Sequence, residues 1–228
     1  MENRYTYLFL DMITIAGPLL LSFDKKVAFY KSWKYYALSM LPVSAFYILW
    51  DVIFTETGIW KFNPEFLIGQ NIINLPLEEY LFFLVVPYSC LFIYACLKAY
   101  FPQIRNKGYK LYYPLLGFTV LMSLINYNKI YTVVTFGVLS ILLAYLIFKE
   151  KTILKTYGGY MFISWAIALL PMAYVNGILT SKPVLIYNDL ENCGIRIGTI
   201  PFEDFFYNML YMVAMIAIYE RLRKTEFN

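Results

Sequence analysis

The sequence predicts an all-α integral membrane protein of about seven transmembrane helices, built from two parallel three-helix repeats plus a linking helix. Composition, the spacing of apolar runs and an internal similarity carry that expectation. Of 228 residues, 61% are hydrophobic and 15% are charged, and the mean hydropathy is +0.58. Soluble domains lie nearer half apolar and a quarter charged, so this chain reads as membrane-embedded.

A helix that crosses a bilayer needs about 20 mostly apolar residues. Such runs lie at 5–23, 34–54, 77–99, 112–126, 130–148, 159–178 and 202–219. The first lacks a small-residue cleavage site, so a span is expected there, not a signal peptide. The fourth is short, and its boundary with the fifth, at "NYNK" (126–129), is the least defined. An eighth crossing arises only if a loop re-enters the membrane. With seven spans, 14 of the 19 Lys and Arg residues fall on one side, in 25–34, 98–110, 149–155 and 221–224. The other side carries Arg4, Lys61, Lys129, Lys182 and Arg196. The positive side faces the cytoplasm. The expectation is therefore a cell-membrane protein with its N-terminus outside and its C-terminus inside.

The two halves resemble each other at a shift of 125 residues. The shift pairs Asn63 with Asn188, Gly69 with Gly194, Pro76 with Pro201, Glu78 with Glu203 and Tyr94 with Tyr219. It also sets Glu79 against Asp204 and Lys98 against Arg223. Ten identities fall in the 46 ungapped positions from 53 to 98. The predicted organisation is a first repeat at 1–110 with spans 1–3, a linking span at 111–129, and a second repeat at 130–228 with spans 5–7. Because one span intervenes, both copies insert in the same orientation, about a pseudo-two-fold axis along the membrane normal.

Absences narrow the chemistry. There is no histidine, which removes the commonest general base, the Ser-His and Cys-His systems and imidazole ligation. Cys90, Cys96 and Cys193 form no CxxC pattern, so neither a disulfide framework nor a metal site is expected. "GIRIG" (194–198) has the wrong spacing for a dinucleotide fingerprint, and no cofactor is expected. The net charge of +4 comes from short basic clusters between apolar runs, not from a nucleic-acid-binding face.

Against this background "NLPLEEYLFF" (74–83) and "TIPFEDFFYN" (199–208) stand out. Each places two acids behind a proline at the mouth of an apolar helix. A plain reading is that proline suits a helix start and that acids there complement the helix dipole. Dipole complementation needs one acid, however, not two repelling neighbours, and the pair recurs at the same repeat position. Burial and a neighbouring carboxylate both favour the protonated form of a carboxyl, so such a pair offers acid and base roles without histidine or metal. Glu78, Glu79, Glu203 and Asp204 are the candidate catalytic residues. Glu78 and Glu203 rank first because they are identical between the repeats.

Supporting candidates follow from position. Asp51 and Asn176 are repeat partners near the outer ends of spans 2 and 6, where they can line the same cavity. Asn74 and Thr199 precede the prolines and most simply hydrogen-bond a helix start. Arg196 either holds a carboxylate ionised or faces headgroups. Trp60, Phe82 and Tyr207 belong to an aromatic population that reaches 20% of the chain. Aromatic faces stabilise cations, although most such rings pack or anchor the interface. Asp11 has no acidic counterpart and stays unassigned.

The segments "DVIFTETGIWKFNPEFLIGQNIINLPLEEYLFF" (51–83) and "NGILTSKPVLIYNDLENCGIRIGTIPFEDFFYN" (176–208) resemble the paired motifs of the membrane-integral lycopene cyclase domain family. The chain looks like the fused two-repeat form of these non-flavin, heterodimeric-type carotenoid cyclases. The resemblance implies a lycopene β-cyclase, an intramolecular lyase or isomerase that closes the linear ends of lycopene into β-ionone rings, giving γ-carotene and β-carotene. It implies acid–base catalysis through a carbocation, with lycopene or a related linear carotenoid as substrate. The implied surroundings are the lipid bilayer, with other carotenoid-pathway membrane enzymes as candidate partners.

A proton-coupled transporter is the alternative, since parallel repeats, intramembrane acids and the prolines Pro18, Pro42, Pro87 and Pro171 also suit a proton pathway. A retinal-type photoreceptor is excluded by the absence of lysine from span 7. A membrane prenyltransferase would need Asp-rich motifs that the scattered aspartates do not form.

Overall fold

The apolar runs form helices in the computed structural model, which describes residues 4–226. Among the described residues seven α-helices appear: α1 (Thr6–Leu21), α2 (Trp33–Glu56), α3 (Leu77–Tyr100), α4 (Tyr112–Ile125), α5 (Ile130–Phe148), α6 (Lys151–Ser181) and α7 (Phe202–Glu226). The remaining regular structure among the described residues is four single-turn 3-10 helices (Phe29–Ser32, Pro64–Phe66, Pro102–Ile104 and Tyr109–Leu111) and six very short strands in the two long loops. The strands are β1 (Trp60–Phe62), β2 (Asn71–Ile72) and β3 (Leu75–Pro76), then β4 (Leu185–Tyr187), β5 (Arg196–Ile197) and β6 (Ile200–Pro201).

Most helix bounds fall close to the apolar runs, with two clear differences: α7 runs on to Glu226, seven residues past the run predicted to end at 219, and α6 starts early. α6 begins at Lys151, eight residues before the run predicted at 159. Its first turns carry Lys151 and Lys155, which an apolarity criterion discards but which are good helix formers. The prolines Pro18, Pro42, Pro87 and Pro171 lie inside helices. Packed transmembrane helices tolerate that, because neighbouring groups re-satisfy the freed carbonyls.

Four segments are long and apolar enough to cross a membrane: Phe29–Glu56, Leu77–Tyr100, Ile130–Phe148 and Lys151–Ser181. α1 and the Tyr109–Ile125 segment are apolar but shorter. α7 is long, but Glu203, Asp204 and Glu220 interrupt its apolar surface.

α3 and α7 form the centre. Leu91 and Tyr94 on one, and Met209, Met212, Met215 and Ile216 on the other, are fully buried. α1 packs on α3, and α5 packs on α7 in the matching way. α2 and α6 cross over, each packing on the central helix of the other half. α4 lies outside α5, and the link before it presses on α6. There a Cβ added to Gly159 would stand 2.6 Å from the Lys107 carbonyl oxygen, so only glycine admits this approach. The outer faces of α1 and α4 expose Phe9, Met12, Leu20, Leu121, Leu124 and Ile125, an apolar belt suited to lipid.

The loops repeat each other at the same shift. β2 pairs with β3 through Asn71 opposite Pro76, and β5 pairs with β6 through Arg196 opposite Pro201. The tips carry left-handed residues at Ile73 (φ 59°) and Gly198 (φ 62°), 125 positions apart. β1 and β4 are themselves repeat equivalents, and they pair antiparallel about Lys61 opposite Ile186. Two like strands paired about a central residue are what a two-fold relation between the halves produces.

At the opposite end, Lys98 forms an ion pair with buried Glu220, which also accepts from Tyr94 at 2.8 Å. Arg223 donates to Tyr219 at 3.0 Å. Tyr94 and Tyr219, and Lys98 and Arg223, are repeat partners, so the halves are also joined at the basic end.

Candidate active site

Each acid pair opens a helix directly behind its hairpin. The prolines sit one residue ahead of the helices, in extended conformation, and not in the first turn as the sequence suggested. The next amide closes the loop: Leu77 N–H donates to Gln70 O at 2.8 Å, and Phe202 N–H to Ile195 O at 3.0 Å. Neighbouring side chains on a helix diverge by about 100°. The two acids of each pair therefore face different surroundings.

Glu78 and Glu203 have 0% exposure and turn back toward the loop. Glu78 Oε1 accepts the Ile68 N–H at 2.7 Å, and Glu203 Oε1 accepts the Cys193 N–H at 2.7 Å. Those amides are again 125 positions apart. Glu203 also accepts from the Thr132 hydroxyl at 2.5 Å. These two carboxyls anchor the loops over the helix starts.

Glu79 and Asp204 turn inward. Glu79 Oε2 accepts from the Tyr7 hydroxyl at 2.5 Å, and its carboxyl lies within hydrogen-bonding reach of Asp51. Tyr207 OH donates to Asp51 Oδ1 at 3.0 Å. Asp204 accepts from three donors: Tyr131 OH at 2.5 Å, Tyr187 OH at 2.8 Å and Asn176 Nδ2 at 3.1 Å. The repeat partners Asp51 and Asn176 thus do parallel work, each touching the inward acid of its own half.

Between the two acids lies a cavity of about 290 Å³, walled mainly by α1, α3, α6, α7 and the β1–β4 pair, with Asp51 of α2 and Tyr131 of α5 at its loop end. Asp51, Glu79, Asn176 and Asp204 are its polar groups near the loops, and Trp60, Phe82 and Tyr207 are among its aromatic ones. The rings form a continuous network, with Trp60 5.3 Å from Tyr131 and 5.9 Å from Tyr187. Glu78 and Glu203 do not line this space.

The other candidates bind the loops. Asn74 Nδ2 donates to Val52 O at 2.9 Å, and Thr199 reaches Gly177 O at 3.4 Å, the position 125 residues on. Thr199 also meets the Thr180 hydroxyl at 2.6 Å. Arg196 donates to Thr199 O at 2.6 Å and forms an ion pair with Asp189 on the outer loop. The Asn192 amide and Arg196 hold the Asp189 carboxyl below the usual carboxylate range. Arg196 is therefore partnered away from the cavity. Asp11 is buried, one turn from Tyr7, and neither of its carboxyl oxygens has a hydrogen-bond partner.

The sequence reading missed Tyr7, Tyr131 and Tyr187. Tyr7 and Tyr131 occupy the first turns of α1 and α5, 124 positions apart. They lie outside the ungapped similarity and one residue out of its register, so a fixed shift hides them. Tyr187 sits opposite Trp60 across the β1–β4 pair, a proximity only the fold creates.

Fold and site together define a helical membrane protein in which duplicated acids converge on one aromatic, apolar chamber. The chain belongs to the lycopene cyclase family, whose model matches residues 4–97 and 128–222. The intervening segment, with α4, lies outside both matches. The bifunctional lycopene cyclase/phytoene synthase of Pyrenophora tritici-repentis (strain Pt-1C-BFP) is 35% identical over 51 residues, 22% of this chain and 9% of that protein. The chain thus matches about a tenth of the length of that relative. No solved structure matches.

Proposed function

We propose that this protein is a lycopene β-cyclase, which closes the linear ends of lycopene or a related carotenoid by acid–base isomerisation without net redox change. One observation carries the reading: Glu79 and Asp204 face a single apolar, aromatic-walled cavity from opposite halves of the chain. Family membership supports the substrate class.

The two acids differ in a way that suits opposite roles. Asp51 and Glu79 lie side by side in a buried site, where two carboxyls bond each other only by sharing a proton. That pair is the proton donor. It adds H⁺ to the terminal alkene carbon of the substrate and leaves a tertiary cation. The neighbouring double bond attacks this cation, forming the ring carbon–carbon bond and moving the positive charge into the ring. Asp204 receives three hydrogen bonds and stands ready as the acceptor. It takes a ring proton, and the electrons of that C–H bond become the ring alkene. One proton enters and one leaves, so atoms and electrons balance. Trp60, Phe82 and Tyr207 line the chamber in which the cation forms, where aromatic rings stabilise positive charge, and the apolar walls keep out water that would trap it.

We also infer that all seven helices cross the bilayer as two three-helix units joined by α4. The matched loop geometry and the 14-to-5 basic bias support N-terminus outside and C-terminus in the cytoplasm.

Co-expression in a lycopene-accumulating bacterium tests the function. Red lycopene should give way to orange-yellow ring-bearing products. Glu79→Gln and Asp204→Asn should each lower cyclisation at least about 100-fold at unchanged membrane abundance, the scale of a general acid or base. Pigment that stays lycopene with wild-type protein in the membrane sinks the cyclase reading. Full activity in both variants sinks the residue assignment.

A further inference from the structure

Among the described residues the cavity runs out along one half of the duplicated helix set. From the acids it continues between α1, α3 and α6, past Val86, Cys90, Ala168, Met172 and Val175, with Tyr211 and Met212 of α7 along its inner wall. Ile13 and Tyr174, at 46% and 61% exposure, form part of its rim on the lipid-facing surface, next to exposed Pro171. A two-fold relation between the halves calls for a second groove of this kind between α5, α7 and α2. The 125-residue shift shows what stands there instead. Val86 becomes Tyr211, Cys90 becomes Met215, Ala168 corresponds to Val43, Met172 to Tyr47 and Val175 to Trp50.

Every exchange puts more atoms, a different shape or an aromatic ring where the open groove has space, and all five of those residues are buried. Tyr47 lies 4.6 Å from the Tyr211 ring and 5.7 Å from Trp50, ring centre to ring centre, and its hydroxyl bonds Tyr207 O at 2.9 Å. The Tyr211 hydroxyl meets Ser44 at 2.5 Å. A packed, hydrogen-bonded aromatic plug fills the second groove, and Tyr211 of that plug also borders the open cavity from its inner side.

We propose that the α1–α3–α6 groove holds the polyene chain of the substrate, and that the enzyme takes one end of the molecule per binding event through this single lateral opening. The proposal rests on the cyclase reading above. Its occupant follows from continuity with the chamber of the acids and from the apolar walls of the groove, which fit a long hydrocarbon tail that remains partly in lipid. A molecule with two linear ends must therefore leave, turn end for end and return before its second ring can form. The one-ring carotenoid is a released product, not a bound intermediate.

Membranes carrying the full-length protein can be given ¹³C-labelled lycopene for a few turnovers, then a ten-fold excess of unlabelled lycopene. Label should collect in one-ring product, and labelled two-ring product should fall at least about five-fold against an unchased control. If the protein makes no two-ring product, the groove variants below decide, Ala168→Val being the one that changes the volume least. Labelled two-ring product that the chase leaves unchanged overturns the single groove while leaving the cyclase reading intact. No cyclisation by the wild-type protein overturns both.

Variants that fill the groove give a second readout. Met172→Tyr and Ala168→Phe should raise the half-saturating lycopene concentration at least about ten-fold, and Ala168→Val by less, with smaller effects on the maximal rate. Unchanged half-saturation in folded Met172→Tyr overturns the groove assignment. Where a bulky variant fails to accumulate, the chase on the wild-type protein decides.

Discussion

Glu78 and Glu79 are adjacent and chemically identical, yet they stand in different surroundings. The helix sends one toward the loop amide of Ile68 and the other toward Tyr7, Asp51 and the cavity. The same division separates Glu203 from Asp204. Identity between repeats ranked Glu78 and Glu203 first, but a buried carboxyl that organises a loop is held to its identity as firmly as one that moves a proton. Glu203→Ala should leave the Cys193 N–H and the Thr132 hydroxyl without their acceptor and destabilise the protein by about 1–3 kcal/mol. Glu203→Gln keeps an acceptor oxygen and should cost less. Unfolding in detergent micelles measures both. Under the proposed mechanism Glu203→Gln retains readily measurable cyclisation where Asp204→Asn does not, and the reverse order contradicts the division of roles.

The proline hairpins are the elements that aim the acids. Each ties its tip to the helix before it, through Asn74 to Val52 in one half and Thr199 to Gly177 in the other, and ends in a proline that fixes the chain direction into the helix. The tips differ in one respect. Gly198 adopts positive φ freely, whereas Ile73, β-branched, is strained at φ 59°. Ile73→Gly should therefore stabilise the protein by about 1 kcal/mol, and Gly198→Ile should cost about 1–3 kcal/mol. Thermal unfolding of the purified variants checks the signs, and a destabilised Ile73→Gly contradicts the strain argument. Helix positions were legible because apolar runs of this length have few alternatives. The start of α6 was not, because Lys151 and Lys155 belong to the helix but not to the apolar signal.

At the scale of the whole molecule, the crossing of α2 and α6 brings the two halves onto one chamber. Asp51, from α2, reaches Tyr207 of α7, and Trp60 meets Tyr187 across the paired loops. The topology that accompanies this arrangement is directly testable. In a Cys193→Ser background, Leu190→Cys should react with a membrane-impermeant thiol reagent applied to intact cells. Lys26→Cys and Lys107→Cys should react only after the membrane is opened. Labelling of all three from outside rules out the inferred orientation.

The sequence by itself determined the helical membrane character, the positions of most helices, the family and the duplicated acid motif. Those depend on composition, run length and local pattern, which the chain carries in linear order. Only the tertiary structure decided which acid of each pair faces the cavity, that Tyr7, Tyr131 and Tyr187 bond the inward acids, and that Tyr47, Trp50 and Tyr211 pack together where their repeat partners line open space. Those outcomes depend on how side chains far apart in sequence divide the same space. A repeat at a fixed shift gives the equivalence of two positions but not which of the two is left open.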